Sequence, residues 1–153
     1  MQLQELIPEN CLLVGFEAQD KWDAIERMVE HLVGIGRLGT EVRSEHLDAV
    51  LARERSSPTG MEHGLAIPHA AVDDLEEVVA CLAIAPGEGI NFDSVDGSRT
   101  HFVTLLLIPR SQKLLHIRTL GSIARILGTE RVREALLVAA SAGEAWHALE
   151  ENA

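Results

Sequence analysis

Two nearly continuous apolar runs, VVACLAIA (78–85) and FVTLLLIP (102–109), constrain the fold of this chain more than any other feature. Strands buried on both faces have this composition, whereas a strand with one face in water alternates apolar and polar residues. A sheet of buried strands needs helices on both of its sides. The two runs therefore predict an α/β fold with a mixed central β-sheet and helices on both faces.

Shorter sequence patterns predict the helices and strands that surround these two strands. At 153 residues the chain is predicted to form a single domain spanning 1–153. Apolar periodicity and helix-capping residues define the remaining segments. The predicted elements are a strand at 11–16, a helix capped by Asp20, a helix capped by Ser44 and ending near Arg55, a loop at 56–64, a strand starting at 65–67, the two apolar strands, and helices around 114–124, 129–140 and 141–149.

The charge balance narrows the classes of partner. Thirteen lysines and arginines stand against 24 acidic residues, which gives a formal net charge of −11. Nucleic-acid binding needs clustered basic residues, so no nucleic-acid partner is predicted. The charge suits a basic protein partner, and it is explained equally well by solubility alone.

The distribution of apolar residues predicts a location. The longest apolar stretches are too short to cross a bilayer, so no membrane insertion is predicted. The N-terminal segment MQLQELIPEN lacks the basic start and apolar run of a signal peptide. We therefore expect a cytoplasmic protein.

Common catalytic and metal-binding motifs do not occur in this sequence. Cys11 and Cys81 lie in apolar runs and are predicted to be buried. His63 and His69 are six residues apart across a segment with glycine and proline, and no HExxH motif is present. Neither a P-loop nor a GxSxG motif occurs, and the GxGxxG spacing at 34–39 lies at the end of a predicted helix rather than after a strand, so it does not predict a dinucleotide site. No metal and no cofactor are predicted, and a metal-dependent hydrolase is the weakest of the alternatives.

The segment TGMEHGLAIPHA (59–70) presents a histidine directly after a proline. A neutral imidazole is a nucleophile near neutral pH, since its unperturbed pKa is about 6.5. It can accept a phosphoryl group and pass it on, and Pro68 would fix the backbone just before His69. The alternative is a solvated loop histidine without a function.

Nearby residues could hold a phosphoryl group. Gly60 and Gly64 would let backbone N–H groups approach a phosphate. Arg53 or Arg55, at the end of the preceding helix, could pair with its charge. Alternatively, Arg53 would only complement the helix dipole.

The segment RERSSPTGMEHGLAIPHA (53–70) resembles the active-site segment of type-2 enzyme IIA domains of the bacterial phosphoenolpyruvate-dependent phosphotransferase system. These domains belong to its fructose/mannitol and nitrogen-regulatory branches. The shared pattern is an Arg-Glu pair, a Thr-Gly pair, and Gly-(apolar)-Ala-(apolar)-Pro-His, which reads Gly-Leu-Ala-Ile-Pro-His in this chain. Residues 91–109 and 113–127 resemble the family's strand pair and its helix with a second histidine, so the likeness covers nearly the whole chain.

The resemblance implies a role for three residues. His69 matches the histidine that is phosphorylated at Nε2. His116 matches a neighbouring histidine that hydrogen-bonds the phosphoryl group or orients His69, although its place among leucines on a helix also fits a structural histidine. Arg53 matches the arginine that balances the phosphate charge. The implied fold, a mixed sheet with helices on both faces, agrees with the interpretation of the apolar runs.

Two functions follow from the resemblance. A phosphocarrier of the transferase class would take the phosphoryl group from the histidine-containing phosphocarrier protein and give it to a IIB component. A regulatory binding module of the nitrogen type would instead dock on a target protein, with phosphorylation as a switch. The sequence leaves both open.

Departures from the family pattern surround the histidine. Ala70 stands where the family often has glycine, and Glu62-His63 interrupts its Gly-Asn-Gly loop. If Glu62 points inward, its carboxylate would disfavour a bound phosphate, and a protonated His63 would offset it.

The small apolar residues near His69 predict a shallow docking surface. We expect Met61 on its rim, since a flexible thioether adapts to more than one partner. Glu62, Asp73 and Asp74 lie close in sequence and could steer a basic phosphate donor.

Overall fold

The computed structural model describes residues 3–152. Its strands are β1 (Leu12–Val14), β2 (Gly60–Met61), β3 (Leu65–Ala66), β4 (His69–Val72), β5 (Val79–Ile84) and β6 (Phe102–Pro109). Its α-helices are α1 (Leu3–Leu6), α2 (Lys21–Gly34), α3 (Arg43–Ser56), α4 (Lys113–Leu127), α5 (Glu130–Val138) and α6 (Ala142–Asn152). Three-residue 3₁₀ turns occupy Glu9–Cys11, Thr40–Val42 and Glu62–Gly64. Within residues 3–152 no helix is both long and apolar enough to span a bilayer.

The two apolar runs form the centre of one mixed sheet, ordered β1-β5-β6-β3-β2, with β4 also paired to β6. β5 runs antiparallel to β6, with Ile84 opposite Phe102, and β1 runs parallel to β5. Every residue of β5 and β6 is buried. The predicted α/β fold, a mixed sheet with helices on both faces, is confirmed.

β3 and β4 are two parts of one interrupted strand along the second edge of β6. Leu65 pairs with Phe102 and His69 with Leu106, so both parts keep the same register. Pro68 has no N–H to donate to the ladder, but its carbonyl accepts from the Leu106 N–H at 3.0 Å. The predicted strand start at 65–67 is correct, and the strand resumes at His69 after the break.

Two predicted boundaries were wrong. The second helix begins at Arg43 after a 3₁₀ turn, with no side-chain cap, so Ser44 lies inside it. The predicted loop at 56–64 contains β2 and a 3₁₀ turn, because glycine and proline did not prevent a two-residue pairing with β3.

One side of α4 is apolar but is not part of the core. Leu114 and Ile117 are 60% and 69% exposed, whereas Ile123 is fully buried. The N-terminal half of α4 therefore presents apolar side chains to solvent.

Other predicted features agree with the structure. The Asp20 side chain caps α2 by accepting from the Asp23 N–H at 2.8 Å. Cys11 and Cys81 are free thiols and fully buried, and burial raises the pKa of each. Because the thiolate is the reactive form, both cysteines act as apolar core residues.

Candidate active site

His69 is held by its own backbone neighbourhood. It begins β4, is 8% exposed, and its Nδ1 lies 2.7 Å from the carbonyl oxygen of Ile67. A carbonyl only accepts hydrogen bonds, so a neutral His69 ring carries its proton on Nδ1. The lone pair is therefore on Nε2, the atom that the family resemblance predicts to be phosphorylated.

The second histidine of the sequence prediction lies next to the first. The ring centroids of His69 and His116 are 5.3 Å apart, with the planes at 82°. His116 is half-buried on α4. The fold thus brings two imidazoles from residues far apart in sequence into one edge-to-face pair.

A depression of about 470 Å³ opens beside His69. Met61, Val95 and Leu120 supply much of its apolar lining, and Arg53 and His69 are its ionisable groups. No carboxylate lines it in the part of the chain that the structure describes. A site of this kind favours an anionic group beside a nucleophile in apolar surroundings.

Arg53 is placed at this depression by the last turn of α3. Its Nη1 donates to the Ser57 carbonyl at 2.9 Å, across the end of the helix. The guanidinium keeps further N–H groups for a second acceptor. Arg53 therefore both hydrogen-bonds to the backbone at the end of α3 and lines the depression. Arg55 instead lies over the Trp22 ring, 5.7 Å from its centroid.

The surroundings of His69 lower its pKa below the usual value. Burial is the largest cause, and the charges of Arg53 and His116 act in the same direction. The hydrogen bond to the Ile67 carbonyl and the charge of Glu54 oppose the shift without reversing it. His69 is therefore neutral at pH 7 and nucleophilic at Nε2.

The two glycines predicted to bind phosphate occupy different places. Gly60 lines the depression, and a Cβ there would lie 2.6 Å from the Phe92 carbonyl oxygen. Gly64 has φ +73 and packs against His101, outside the lining. Backbone packing at Gly60 and the left-handed φ at Gly64 explain why both residues are glycine, and phosphate binding by either stays a prediction.

The departures from the family pattern leave the depression clear. The Glu62 side chain is 74% exposed and lies 3.7 Å from His63, and neither lines the depression. His63 has φ 65, a left-handed conformation that asparagine adopts more readily than most residues. Ala70 is buried in β4. The inward-pointing Glu62 that would oppose a phosphate does not occur.

Two acidic residues predicted to steer a donor are already paired within the chain. Asp73 accepts from Arg110 Nε at 2.9 Å, and Asp74 lies 2.9 Å from His46 Nε2. Asp73 is therefore already engaged in an ion pair, and Asp74 is engaged in a contact with a histidine ring.

Sequence reasoning missed much of the wall of the depression. Leu120 and Ala124 follow His116 at four-residue spacing, so the helical period could have identified them. Val95 lies in a turn-rich segment, where no helical or strand periodicity indicates which side chains face the depression.

Metal ligands do not converge around this site. Across residues 3–152, no three His, Cys, Asp or Glu side chains are arranged to hold a metal ion. The absence of a metal and of a cofactor stays a prediction.

Comparison of the chain with protein-family models identifies the family to which it belongs. The family model of the phosphoenolpyruvate-dependent sugar phosphotransferase system, EIIA 2, matches residues 5–152. The chain belongs to this family. The resemblance drawn from residues 53–70, 91–109 and 113–127 is thereby confirmed.

Curated relatives come from both branches of the EIIA family. The fructose-specific EIIA component of Haloferax volcanii is 36% identical over 121 residues, 79% of this chain and 77% of the relative. The fructose-specific EIIABC component of Bacillus subtilis is 31% identical over 92% of this chain, which spans only 22% of that relative. The nitrogen regulatory protein of Klebsiella oxytoca is 26% identical over 99% of this chain and 91% of the relative.

Solved structures share the EIIA fold. The nitrogen regulatory protein IIA-Ntr of Neisseria meningitidis aligns with a TM-score of 0.84 at 24% identity, over 96% of this chain and 98% of that one. The mannitol IIA of Escherichia coli, solved in complex with phosphorylated IIB, aligns with a TM-score of 0.76 at 26% identity, over 94% and 96%.

The lowered pKa of His69 predicts a pH dependence of stability. In the window below about pH 6.5 the unfolded chain binds a proton at His69 more readily than the folded chain, so stability is lost as pH falls. The free energy of unfolding, measured in urea at about pH 7.5 and about pH 5.5, should therefore drop more in wild type than in His69→Gln. An identical drop in both proteins would contradict the buried neutral His69.

Proposed function

We propose that this protein is a phosphocarrier that accepts a phosphoryl group on Nε2 of His69 from the histidine-containing phosphocarrier protein. The observation that carries the proposal is the Nδ1 contact to the Ile67 carbonyl at 2.7 Å, which leaves the Nε2 lone pair free in an oriented ring. Nε2 attacks phosphorus, and the bond from phosphorus to the donor's ring nitrogen breaks. The electron pair stays on the donor nitrogen. With the donor ring's other nitrogen protonated, the donor leaves as a neutral imidazole, His69 keeps its proton on Nδ1, and no proton has to move.

Arg53 and His116 complete the proposed site. The Arg53 guanidinium lines the depression and would neutralise part of the dianionic charge of the phosphoryl group. The His116 ring, 5.3 Å from His69, would donate to a phosphoryl oxygen or orient His69. Gly60, which also lines the depression, would offer its backbone N–H.

The second half of the proposed cycle is transfer to a IIB component. The complex of the mannitol IIA with phosphorylated IIB supports this direction. Incubation with phosphoenolpyruvate, enzyme I and the phosphocarrier protein, followed by addition of IIB from the same host, tests it. Loss of label from this chain with gain by IIB would support a carrier role. A cytoplasmic location is part of the same proposal.

The alternative is a regulatory module of the nitrogen branch, which docks on a target protein without sugar transport. The nitrogen-branch relatives support it, because the nitrogen regulatory protein of Klebsiella oxytoca is 26% identical over 99% of this chain. In the same experiment, an adduct that forms but does not move to any host IIB component would favour the regulatory role.

Docking of the phosphate donor is proposed to use exposed apolar side chains around the depression. Val95 is 94% exposed and lines the depression beside Met61, and Ile117 is exposed on α4. Glu62 and Asp96 line a neighbouring cleft with Met61 and Val95, so they replace Asp73 and Asp74 as the residues that would steer a basic donor.

Met61→Asp is expected to slow phosphoryl uptake from the carrier protein about tenfold without unfolding the domain, because a charge then stands in an apolar contact. Stopped-flow or quench measurements of the transfer rate check this. The control is Val138→Asp, since Val138 is an apolar residue on α5, 81% exposed and outside the depression. Equal rates for the two variants would place docking elsewhere.

Rising ionic strength is expected to slow the association step, because rim charges act mainly on the association rate and are screened beyond about 8 Å at physiological salt. The measurement is the second-order rate constant of uptake at several salt concentrations. A rate constant independent of salt would contradict steering by Glu62 and Asp96.

A further inference from the structure

Two charged side chains are buried beside the wall of the depression. Lys21, the first residue of α2, is 6% exposed, and Glu54 near the end of α3 is 1% exposed. Lys21 Nζ lies 3.3 Å from Glu54 Oε2. A buried ion pair contributes little net stability compared with apolar residues of the same size. The position of this pair therefore points to a role that apolar residues could not take.

Glu54 fixes one lip of the depression. Its Oε2 accepts from the Thr59 N–H at 2.9 Å, and its Oε1 accepts from the Thr59 hydroxyl at 2.6 Å. Thr59 and Gly60 both line the depression. With the Lys21 ammonium, three donors converge on one carboxylate, which has enough acceptor sites for all of them. The carboxylate thereby sets where the chain leaves α3 and begins β2.

Lys21 connects this lip to a second, neighbouring one. Its Nζ lies 2.8 Å from Asp93 Oδ2, and Asp93 adopts a left-handed φ of 55 two residues before Val95, which lines the depression. Burial alone would lower the pKa of Lys21, but the hydrogen bond to Asp93 and the charge of Glu54 outweigh it and raise the pKa. Lys21 therefore stays charged and bridges two carboxylates.

The two lips also touch directly. A Cβ at Gly60 would lie 2.6 Å from the Phe92 carbonyl oxygen and 2.7 Å from Ser94 Oγ, so the backbones are in close contact. A change in the Lys21 or Glu54 contacts is therefore expected to shift both lips. Arg53, bonded to Glu54 along the chain, moves with the first lip.

We infer that Lys21 and Glu54 are a positioning pair, which holds Thr59–Gly60, Val95 and Arg53 at the spacing that phosphoryl transfer to His69 requires. The inference rests on the proposed function. Lys21 has a second effect, because it neutralises a buried carboxylate that would otherwise repel a dianionic phosphoryl group on His69. Neither residue contacts the reacting atoms, and both act through the lips.

The test removes both charges together, because removal of one partner alone would leave an unpaired buried charge. Lys21→Met/Glu54→Leu is expected to fold, as judged by circular dichroism and urea unfolding. Its kcat for uptake from the phosphocarrier protein should fall about 100-fold, since misplacement of reacting groups by about 1 Å has that effect. The KM for the carrier should change much less than kcat, because a shift of about 1 Å misaligns the reacting groups but leaves the same apolar side chains exposed for docking.

The matched control is Glu30→Gln/Arg43→Gln. This ion pair also joins α2 to α3, but on the exposed side and outside the lining of the depression. The control should keep wild-type kcat and KM. Glu54→Gln is the conservative variant, since it keeps an acceptor for Thr59 and leaves Lys21 paired with Asp93. We expect it to lose only about tenfold in kcat, which a purely structural role would not predict.

The outcomes separate the two claims. A wild-type protein that takes no phosphoryl group overturns the proposed function, and the inference falls with it. A phosphorylated wild type alongside a folded double variant with wild-type kcat overturns the inference alone. If the double variant does not fold, Glu54→Gln decides: a kcat equal to wild type contradicts the positioning role, and a selective loss of kcat supports it.

Discussion

Arg53→Gln is expected to lower the rate of phosphoryl uptake by His69 about 100- to 1000-fold, the range found when a preorganised donor to developing charge is removed. The guanidinium lines the depression, where few polar groups compete for the phosphoryl oxygens. Glutamine keeps a donor of similar reach but loses the charge. The variant should fold like wild type, because Arg53 is only half-buried and pairs with a backbone carbonyl.

Arg55→Gln is the control for this prediction. Arg55 is two residues further along α3, exposed, and lies over Trp22 rather than in the depression. Its rate should stay within about twofold of wild type, as for a surface substitution. An NMR titration adds a second readout, because Arg53 lowers the pKa of His69, so the pKa should rise in Arg53→Gln. Equal rates for the two variants would contradict the assignment of Arg53.

His69→Gln is expected to abolish the phosphoryl adduct completely, the largest effect of all the changes considered. Glutamine fills a similar volume, but its amide nitrogen has no lone pair available for attack on phosphorus. The measurement is acid-labile label on the protein after incubation with phosphoenolpyruvate, enzyme I and the phosphocarrier protein.

His147→Gln tests whether that loss is specific. His147 is exposed on α6 and stacks edge-on against Trp146, outside the depression. This variant should be labelled as fully as wild type. An adduct that persists in His69→Gln, or disappears in His147→Gln, would show that the phosphoryl group resides on another histidine.

The sequence predicted the fold well because the decisive elements have local signatures. The runs at 78–85 and 102–109 have the composition of strands buried on both faces, and the structure buries every residue of β5 and β6. His69 was identified by its neighbours, since Pro68 and the glycines mark an unusual stretch of chain. The Nδ1 contact to Ile67 is equally local, because it spans only two residues.

The rest of the site depends on contacts between distant parts of the chain. The Lys21–Glu54 pair joins residues 33 apart, and neither residue carries a signal of burial in its own segment. Val95 lies at the depression next to residues 92–94, which pack on Gly60 from a distant part of the sequence. The outward direction of Glu62 follows from the 3₁₀ turn at Glu62–Gly64, which the composition of the segment did not reveal.

The proposed phosphorylation of His69 at Nε2 is tested most directly by identifying the ring nitrogen that carries phosphorus. Protein labelled with ¹⁵N at histidine and phosphorylated by its carrier should show one new phosphohistidine by NMR, with ³¹P–¹⁵N coupling at Nε2 of His69. Nδ1 should remain protonated and bonded to the Ile67 carbonyl, as the 2.7 Å contact requires. Coupling at Nδ1 of His69, or at either nitrogen of another histidine, would contradict it.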